Sequence, residues 1–125
     1  MKKTNTPLRG HQGDVQFASI DSIPPNAKKV SNKPIALGEH SGHMHVLTGD
    51  VQMFEVDGRI ICAVGEDGAR LQHVRESDFT KASWTKKEEI TKADHYSHEF
   101  PAGNYEFWIQ NSHNPYTKMM DKVID

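Results

Sequence analysis

Residues 43–74, HMHVLTGDVQMFEVDGRIICAVGEDGARLQHV, decide how this chain folds. The long run 43–56 is followed by Asp57-Gly58 and then by the apolar run RIICAV. An Asp-Gly pair between two such runs is a strong hairpin signal, because the residues of a tight hairpin turn need positive φ. A second Asp-Gly pair, at 67–68 within GEDGA, precedes the run ARLQHV. The stretch therefore predicts a three-stranded antiparallel meander.

Further strands are predicted on both sides of this meander. They are GDVQFASI (13–20), KPIALGE (33–39), and SHEFPAGNYEFWIQN (97–111), which is divided by a turn at 101–103. Many short strands with little helix predict an all-β protein, here a small single-domain antiparallel barrel or sandwich, cupin-like or jelly-roll-like. The length of 125 residues suits one domain. We expect residues 1–12 to form a polar N-terminal arm and residues 13–125 to form the β domain.

The segment 75–94, RESDFTKASWTKKEEITKAD, differs from the strands around it because it is highly charged and favours helix. Thr85 and Glu88 have the spacing of a capping box, which predicts a short helix from about 86 to 93. Phe79 and Trp84 are the residues expected to anchor this segment to the sheet. We interpret 75–94 as a helical or loop insertion between two strands.

Charge and composition exclude several classes of partner. The net charge is −2, from 15 basic and 17 acidic residues, so a nucleic-acid partner is not expected. No apolar run approaches the length needed to cross a bilayer, and the N-terminus lacks the apolar region of a signal peptide. These features predict no membrane partner and a cytoplasmic location, or a virion location for a phage structural protein. The single cysteine, Cys62, lies in an apolar run and is expected to be a buried hydrophobe.

Three of the eight histidines are candidate metal ligands because of the face on which each lies. Side chains alternate along a strand, so His43 and His45 share a face with Leu47, and His73 shares a face with Leu71. Histidines at positions i and i+2 of a strand lie roughly 6.6 Å apart on one face, where both imidazoles can reach one ion. Imidazole is a good ligand for divalent Zn, Fe, Ni and Mn. The pattern therefore predicts a metal site with the metal's identity open.

Other residues are expected to complete this site or to lie outside it. His95 is the candidate for the fourth ligand, and Glu39, His98 and Glu106 are additional candidates. His40 is expected to be a bystander in a glycine-flanked corner, and His11 and His113 are expected at the surface. The alternative is that His-x-His arose by chance and the histidines are structural. No nucleophile or phosphate-binding motif is present, so the catalytic residues, any small-molecule substrate and enzymatic activity itself remain unassigned.

The order of short motifs resembles that of a group of small uncharacterised bacterial and phage β-proteins with a Gly-Glu-x-Thr/Ser-Gly-His-x-His motif. The matching stretches are QGDV (12–15), GEHSGHMH (38–45), LQH (71–73), DHYSHEFPAGNY (94–105) and VID (123–125). The resemblance implies a β-fold with a metal-binding histidine cluster, in which 75–94 is an insertion separating His73 from His95. GEHSGHMH and PAGNYEFWIQN also resemble, less closely, the two cupin motifs. Glu106 stands where the second cupin motif has a histidine.

Two functions follow from these observations. The first is a small soluble β-barrel protein that binds a divalent metal ion through a histidine cluster. The second is a structural or assembly protein, such as a phage virion component, in which the histidines are structural. A homo-oligomer or a virion assembly partner would fit the second function.

Overall fold

The structure is a computed structural model that describes residues 8–37, 42–86, 88, 90 and 97–109. Within those residues the chain forms antiparallel β-structure, which confirms the all-β prediction. The strands are β1 (Arg9–Gln12), β2 (Val15–Ile20), β3 (Lys28–Val30), β4 (Ala36–Leu37), β5 (His43–Val56), β6 (Arg59–Arg75), β7 (His98–Phe100) and β8 (Gly103–Ile109). Strand β1 lies where the polar arm was predicted, and it pairs with β2 from Arg9 to Gln12.

The strands form one sheet in the order β1-β2-β8-β6-β5-β3, with β4 added to β5 and β7 added to β6. Every pairing is antiparallel. A barrel or a sandwich was predicted, and among the described strands the sheet does not close on itself. Strands β5 and β6 are the longest and form the axis on which the other strands are arranged.

The β5–β6 hairpin turns where the sequence predicts. Asp57 and Gly58 have φ values of +51° and +78°, as a tight hairpin turn requires. The predicted second turn at 67–68 is wrong, because β6 continues through it and pairs with β5 on both sides. Gly49 pairs with Ala69 but Val51 pairs with Val64, so residues 65–68 form a bulge opposite a single residue of β5.

This bulge (residues 65–68) depends on the close approach of the two backbones. Gly49 has φ of +125°, and a Cβ atom there would lie 2.6 Å from the Gly68 carbonyl oxygen. The bulge also changes which alternate residues face the core. Cys62 faces the core before it, whereas Leu71 faces the core after it. The second half of β6 is therefore rotated so that odd-numbered residues point inward.

The predicted turn at 101–103 does not reverse the chain either. Strand β7 pairs with the second half of β6, where His98 is opposite Leu71. Strand β8 pairs with the first half of β6, where Gly103 is opposite Val64. Both strands run antiparallel to β6, so the chain keeps the same direction from β7 to β8. Residues 101–102 interrupt the strand and do not form a turn.

The main core lies on the face of the sheet that carries these inward residues. Phe17 contacts Phe100 edge-on, with ring centroids 4.9 Å apart, and the Phe100 ring lies 5.6 Å from that of Phe107. The buried residues of this core are Val15, Phe17, Ile35, Leu47, Met53, Cys62, Val64, Ala69, Leu71, Phe100, Tyr105 and Phe107.

A segment that we call the strap (residues 76–86, 88 and 90) covers the opposite face of β5 and β6. It contains two 3-10 turns, Glu76–Asp78 and Lys81–Thr85, and most of the helix predicted from about 86 to 93 lies outside the described residues. Phe79, Trp84 and Ile90 pack on a second apolar cluster formed by Met44, Val46 and Val74. The predicted anchoring by Phe79 and Trp84 is confirmed.

Buried polar contacts also attach the strap to the sheet. The Gln72 side-chain amide donates to Thr48 Oγ1 at 3.1 Å and to the Glu88 carbonyl at 3.0 Å. Its oxygen accepts a 2.8 Å hydrogen bond from the Ile90 backbone N–H. Gln72 is 3% exposed, so loss of these partners would leave a buried amide without hydrogen bonds, which lowers the free energy of unfolding.

Candidate metal centre

Three predicted ligands come together at the end of the β5–β6 hairpin that is distant from its turn. His45 and His73 are direct cross-strand partners, and their rings stack with centroids 4.5 Å apart and planes at 13°. The His43 ring lies 5.4 Å from the His73 ring, at 43°. The structure therefore brings together the side chains of the histidine cluster (His43, His45 and His73), with the His73 ring in contact with each of the other two.

The histidine cluster continues the inward face of the hairpin. Leu47 and Leu71 are the next residues on the same face, and both are fully buried. His45 is buried at 8% exposure, while His43 and His73 are half-buried. The His43 Nδ1 atom is buried and has no hydrogen-bond partner among the described residues. Burying such a nitrogen costs about 1–3 kcal/mol unless it meets a donor, an acceptor or a metal ion.

Gln12, at the end of β1, is a part of this site that sequence reasoning missed. Its Oε1 atom lies 2.8 Å from His45 Nδ1, and its Nε2 atom donates to the Leu71 carbonyl at 3.1 Å. The side chain is 4% exposed, although a glutamine at the end of a short polar strand would ordinarily be solvated. The only sequence signal was its place in the QGDV motif, and the motif does not say what Gln12 contacts.

Gly13 follows Gln12 in the turn between β1 and β2 and has φ of +57°. A Cβ atom at this position would lie 3.4 Å from His45 Cε1 and 3.6 Å from His45 Nε2. The absence of a side chain therefore leaves room beside the part of the ring that carries Nε2. Through the contacts of Gln12 and Gly13 with His45, the QGDV and GHMH motifs are adjacent in the fold. In the sequence, 30 residues lie between Gln12 and His43.

Several predicted residues fall outside the described part of the chain. They are His95, the candidate fourth ligand, together with Glu39, His40 and His113. His11, predicted at the surface, is exposed.

His98 lies on the core side of β7, opposite Leu71. Its ring packs edge-on against Phe17, with centroids 5.3 Å apart. Burial lowers the pKa of His98 below its ordinary value, and the charge of the nearby His11 lowers this pKa further. A hydrogen bond with the His11 backbone acts in the opposite direction. Since cross-strand partners share a face, His98 lies diagonally across from His73.

Glu106 is not brought to the histidine cluster. It lies opposite Ile61, twelve residues before His73 in β6, and forms an ion pair with Arg59. Its neighbours Tyr105 and Phe107 face the core, so Glu106 points away from it. The residue that the cupin resemblance placed at a ligand position therefore has a structural partner elsewhere in the sheet.

Cys62 does not contribute to the site. It is fully buried in the main core, as expected from its apolar run. Burial raises the pKa of the Cys62 thiol to about 12, so the thiolate form that binds metals or attacks substrates is strongly disfavoured.

The rings are not arranged around a common point as they stand. Among the described residues, no group of three or more His, Cys, Asp or Glu side chains has the arrangement of a metal site. Within the histidine cluster, the His45 and His73 rings stack face to face with their planes at 13°.

Comparison with known families gives one result. Residues 11–110 match a family described as a domain of unknown function, DUF8820, and this match covers most of the chain. The chain belongs to the DUF8820 family. The matched segment of the DUF8820 domain runs from β1 to just past β8, so it includes Gln12, the histidine cluster and the strap. No curated protein and no solved structure matches the chain. In the described residues, no helix is both long enough and apolar enough to span a membrane.

Proposed function

We propose that this DUF8820 domain binds one divalent metal ion through His43, His45 and His73. The observation that carries the proposal is the contact of the His73 imidazole, on β6, with the imidazoles of His43 and His45, on β5, at one end of the hairpin. Imidazole nitrogen is a ligand that Zn²⁺, Fe²⁺, Ni²⁺ and Mn²⁺ all accept. His95, which lies outside the described residues, is the proposed fourth ligand because the motif resemblance pairs it with His73.

The distances between the rings suit chelation after a small rearrangement. At metal–nitrogen distances of 2.0–2.1 Å and tetrahedral angles, two ligand nitrogens lie about 3.3 Å apart. The His45 and His73 rings are 4.5 Å apart, so the proposal has the half-buried His73 ring tilt toward His45 until two nitrogens reach that separation. His45 keeps its hydrogen bond to Gln12 in this rearrangement, and the backbone ladder keeps its register.

The burial of the cluster supports the same function. The buried His43 Nδ1 atom, which has no partner among the described residues, would gain one in a bound metal ion. The ladder between β5 and β6 fixes the three Cα positions before any metal arrives, and this preorganisation lowers the entropic cost of binding.

The test compares metal content in a double variant and in a matched histidine control. Purified protein is stripped with chelator, dialysed separately against Zn²⁺, Ni²⁺, Mn²⁺ and Fe²⁺, and analysed for bound metal. We expect one ion per chain in the wild type and none in His43→Ala/His45→Ala. His11→Ala, which removes an exposed histidine from β1, should keep the wild-type stoichiometry. Circular dichroism establishes that each variant is folded.

Two results would contradict the proposal. One is stoichiometric metal retained by the double variant, which would place the ion elsewhere. The other is a wild-type protein that takes up no metal. In that case a size measurement showing a large ring or lattice would favour the assembly function, with structural histidines.

A further inference from the structure

We infer that Gln12 is a positioning residue of the metal centre, which holds His45 with its proton on Nδ1 and thereby makes Nε2 the nitrogen that binds the ion. The inference rests on the proposed metal function. It goes beyond that function because it names the binding atom and places a residue of β1 in the site.

The direction of each hydrogen bond follows from what its partner can do. The Leu71 carbonyl oxygen can only accept, so the Gln12 atom facing it at 3.1 Å must be the amide nitrogen. This fixes the orientation of the amide and turns Oε1 toward His45 Nδ1, 2.8 Å away. Because Oε1 can only accept, Nδ1 must donate. A neutral imidazole carries one N–H, so the lone pair is then on Nε2.

Burial makes this arrangement difficult to reverse. If the Gln12 amide were flipped, its oxygen would face the Leu71 carbonyl oxygen, and two buried acceptors would oppose each other. Gln12 is 4% exposed and His45 is 8% exposed, so water has little access to relieve that opposition. An unsatisfied buried polar group costs about 1–3 kcal/mol, which is enough to hold one tautomer.

The space around Nε2 agrees with this assignment. Gly13 lies beside Cε1 and Nε2 of His45, and a Cβ atom there would be in van der Waals contact with both. The β1–β2 turn thus supplies a hydrogen-bond acceptor at one nitrogen of the ring and leaves room at the other. Metal-binding histidines commonly have this pattern, in which the nitrogen that does not bind the ion donates to a protein oxygen.

The test compares two substitutions that both remove the hydrogen bond to the Leu71 carbonyl, of which only one keeps an acceptor for His45 Nδ1. Gln12→Met and Gln12→Glu both remove the donation to the Leu71 carbonyl, and the glutamate in addition places an acceptor against that carbonyl, so its structural cost is at least as large as that of the methionine. Only the glutamate keeps an oxygen that accepts from Nδ1. A merely structural role for Gln12 would affect both variants, whereas a positioning role separates them.

Two measurements are made on wild type and both variants. Long-range ¹H–¹⁵N correlation spectra of the metal-free, ¹⁵N-labelled proteins report which nitrogen of His45 carries the proton. Zn²⁺ affinity is measured by competition with a chelator at about pH 8. We expect the Nδ1–H tautomer in wild type and Gln12→Glu, and a mixture in Gln12→Met. Zn²⁺ affinity should fall roughly 10–100-fold in Gln12→Met and stay within about threefold of wild type in Gln12→Glu.

The inference is overturned if metal-free wild type carries the proton on Nε2, or if both variants lose affinity equally. Wild-type Zn²⁺ affinity in Gln12→Met would overturn it as well. Failure of the proposed function looks different, because the tautomer is read without metal. A wild-type protein with the Nδ1–H tautomer and no Zn²⁺ binding would overturn the metal function and leave the hydrogen-bond assignment correct.

Discussion

Among the described residues, three neighbours lie against the His45 ring, and they come from two parts of the chain that are distant from it in sequence. His73 stacks on it from β6, Gln12 bonds its Nδ1 atom from β1, and Gly13 lies beside its opposite edge. The ring is therefore fixed by contacts that span 28 to 33 residues of sequence. Such a side chain loses little further freedom on binding an ion, because folding has already restricted its rotamers.

Residue alternation could predict part of this arrangement. Because side chains alternate strictly along a strand, His43 and His45 could be assigned to the face of Leu47, and His73 to that of Leu71. Gln12 could not be assigned, since its partners depend on how the β1–β2 hairpin lies against β5 and β6. No local pattern encodes that packing.

At the level of one residue, His98 predicts a pH dependence of stability. Its pKa is lower in the folded chain than the ordinary value of 6.5, chiefly because burial disfavours the charged ring. Near and below pH 6.5 the unfolded chain therefore binds more protons than the folded chain. The stability that comes from burying an uncharged His98 ring is complete above about pH 6.5 and is lost as the pH falls below it. His98→Phe keeps the aromatic contact with Phe17 but cannot titrate. We expect the melting temperature to fall less in His98→Phe than in wild type between about pH 7.5 and 5.5.

A second variant separates the two causes of that low pKa. His11→Gln removes the neighbouring charge, so the pKa of His98 measured by NMR should rise but stay below 6.5, since burial remains. An identical pH dependence in wild type and His98→Phe, or no change in the pKa of His98 in His11→Gln, would contradict this account.

At the level of elements, the same Asp-Gly pair occurs in two different local structures. Asp-Gly pairs occur at 57–58 and at 67–68, and in both the glycine has positive φ, +78° and +80°. The first pair makes the hairpin turn, whereas the second belongs to the bulge. Both structures need a residue with positive φ, so the sequence pair cannot distinguish them. What distinguishes them is the continued pairing of β6 with β5, which is a long-range property.

The strap belongs to the packing of the sheet and is more than a surface excursion. It covers Met44, Val46 and Val74, which alternate along β5 and β6 with the residues of the histidine cluster. Both faces of this end of the hairpin are therefore covered. Phe79 and Trp84 made this anchoring predictable from the sequence, although most of 75–94 is charged or polar.

Trp84→Ala tests the role of the strap as an element. Removing a large ring that packs on Phe79 and on the second apolar cluster should lower the free energy of unfolding by about 2 kcal/mol. Lys81→Ala, an exposed position in the same 3-10 turn, should change it by less than about 0.5 kcal/mol. Urea unfolding followed by circular dichroism measures both. Equal effects of the two substitutions would show that the strap does not contribute to the core.

For the whole molecule, the all-β class and the main hairpin could be predicted, but the architecture could not. The prediction of a barrel or sandwich rested on the number of short strands, and strand count does not fix whether the first and last strands meet. The bulge at 65–68 and the break at 101–102 let β6 pair with β7 along one half and with β8 along the other. The result is an open sheet with the histidine cluster at one end of its longest hairpin.

The central claim is that the histidine cluster is a metal centre, and anomalous diffraction from a crystal grown with Zn²⁺ tests it most directly. We predict one anomalous peak per chain within about 2.0–2.1 Å of Nε2 of His45, with nitrogens of His43 and His73 also in bonding distance. A peak bound by other residues, or no peak at the histidine cluster, would contradict the account.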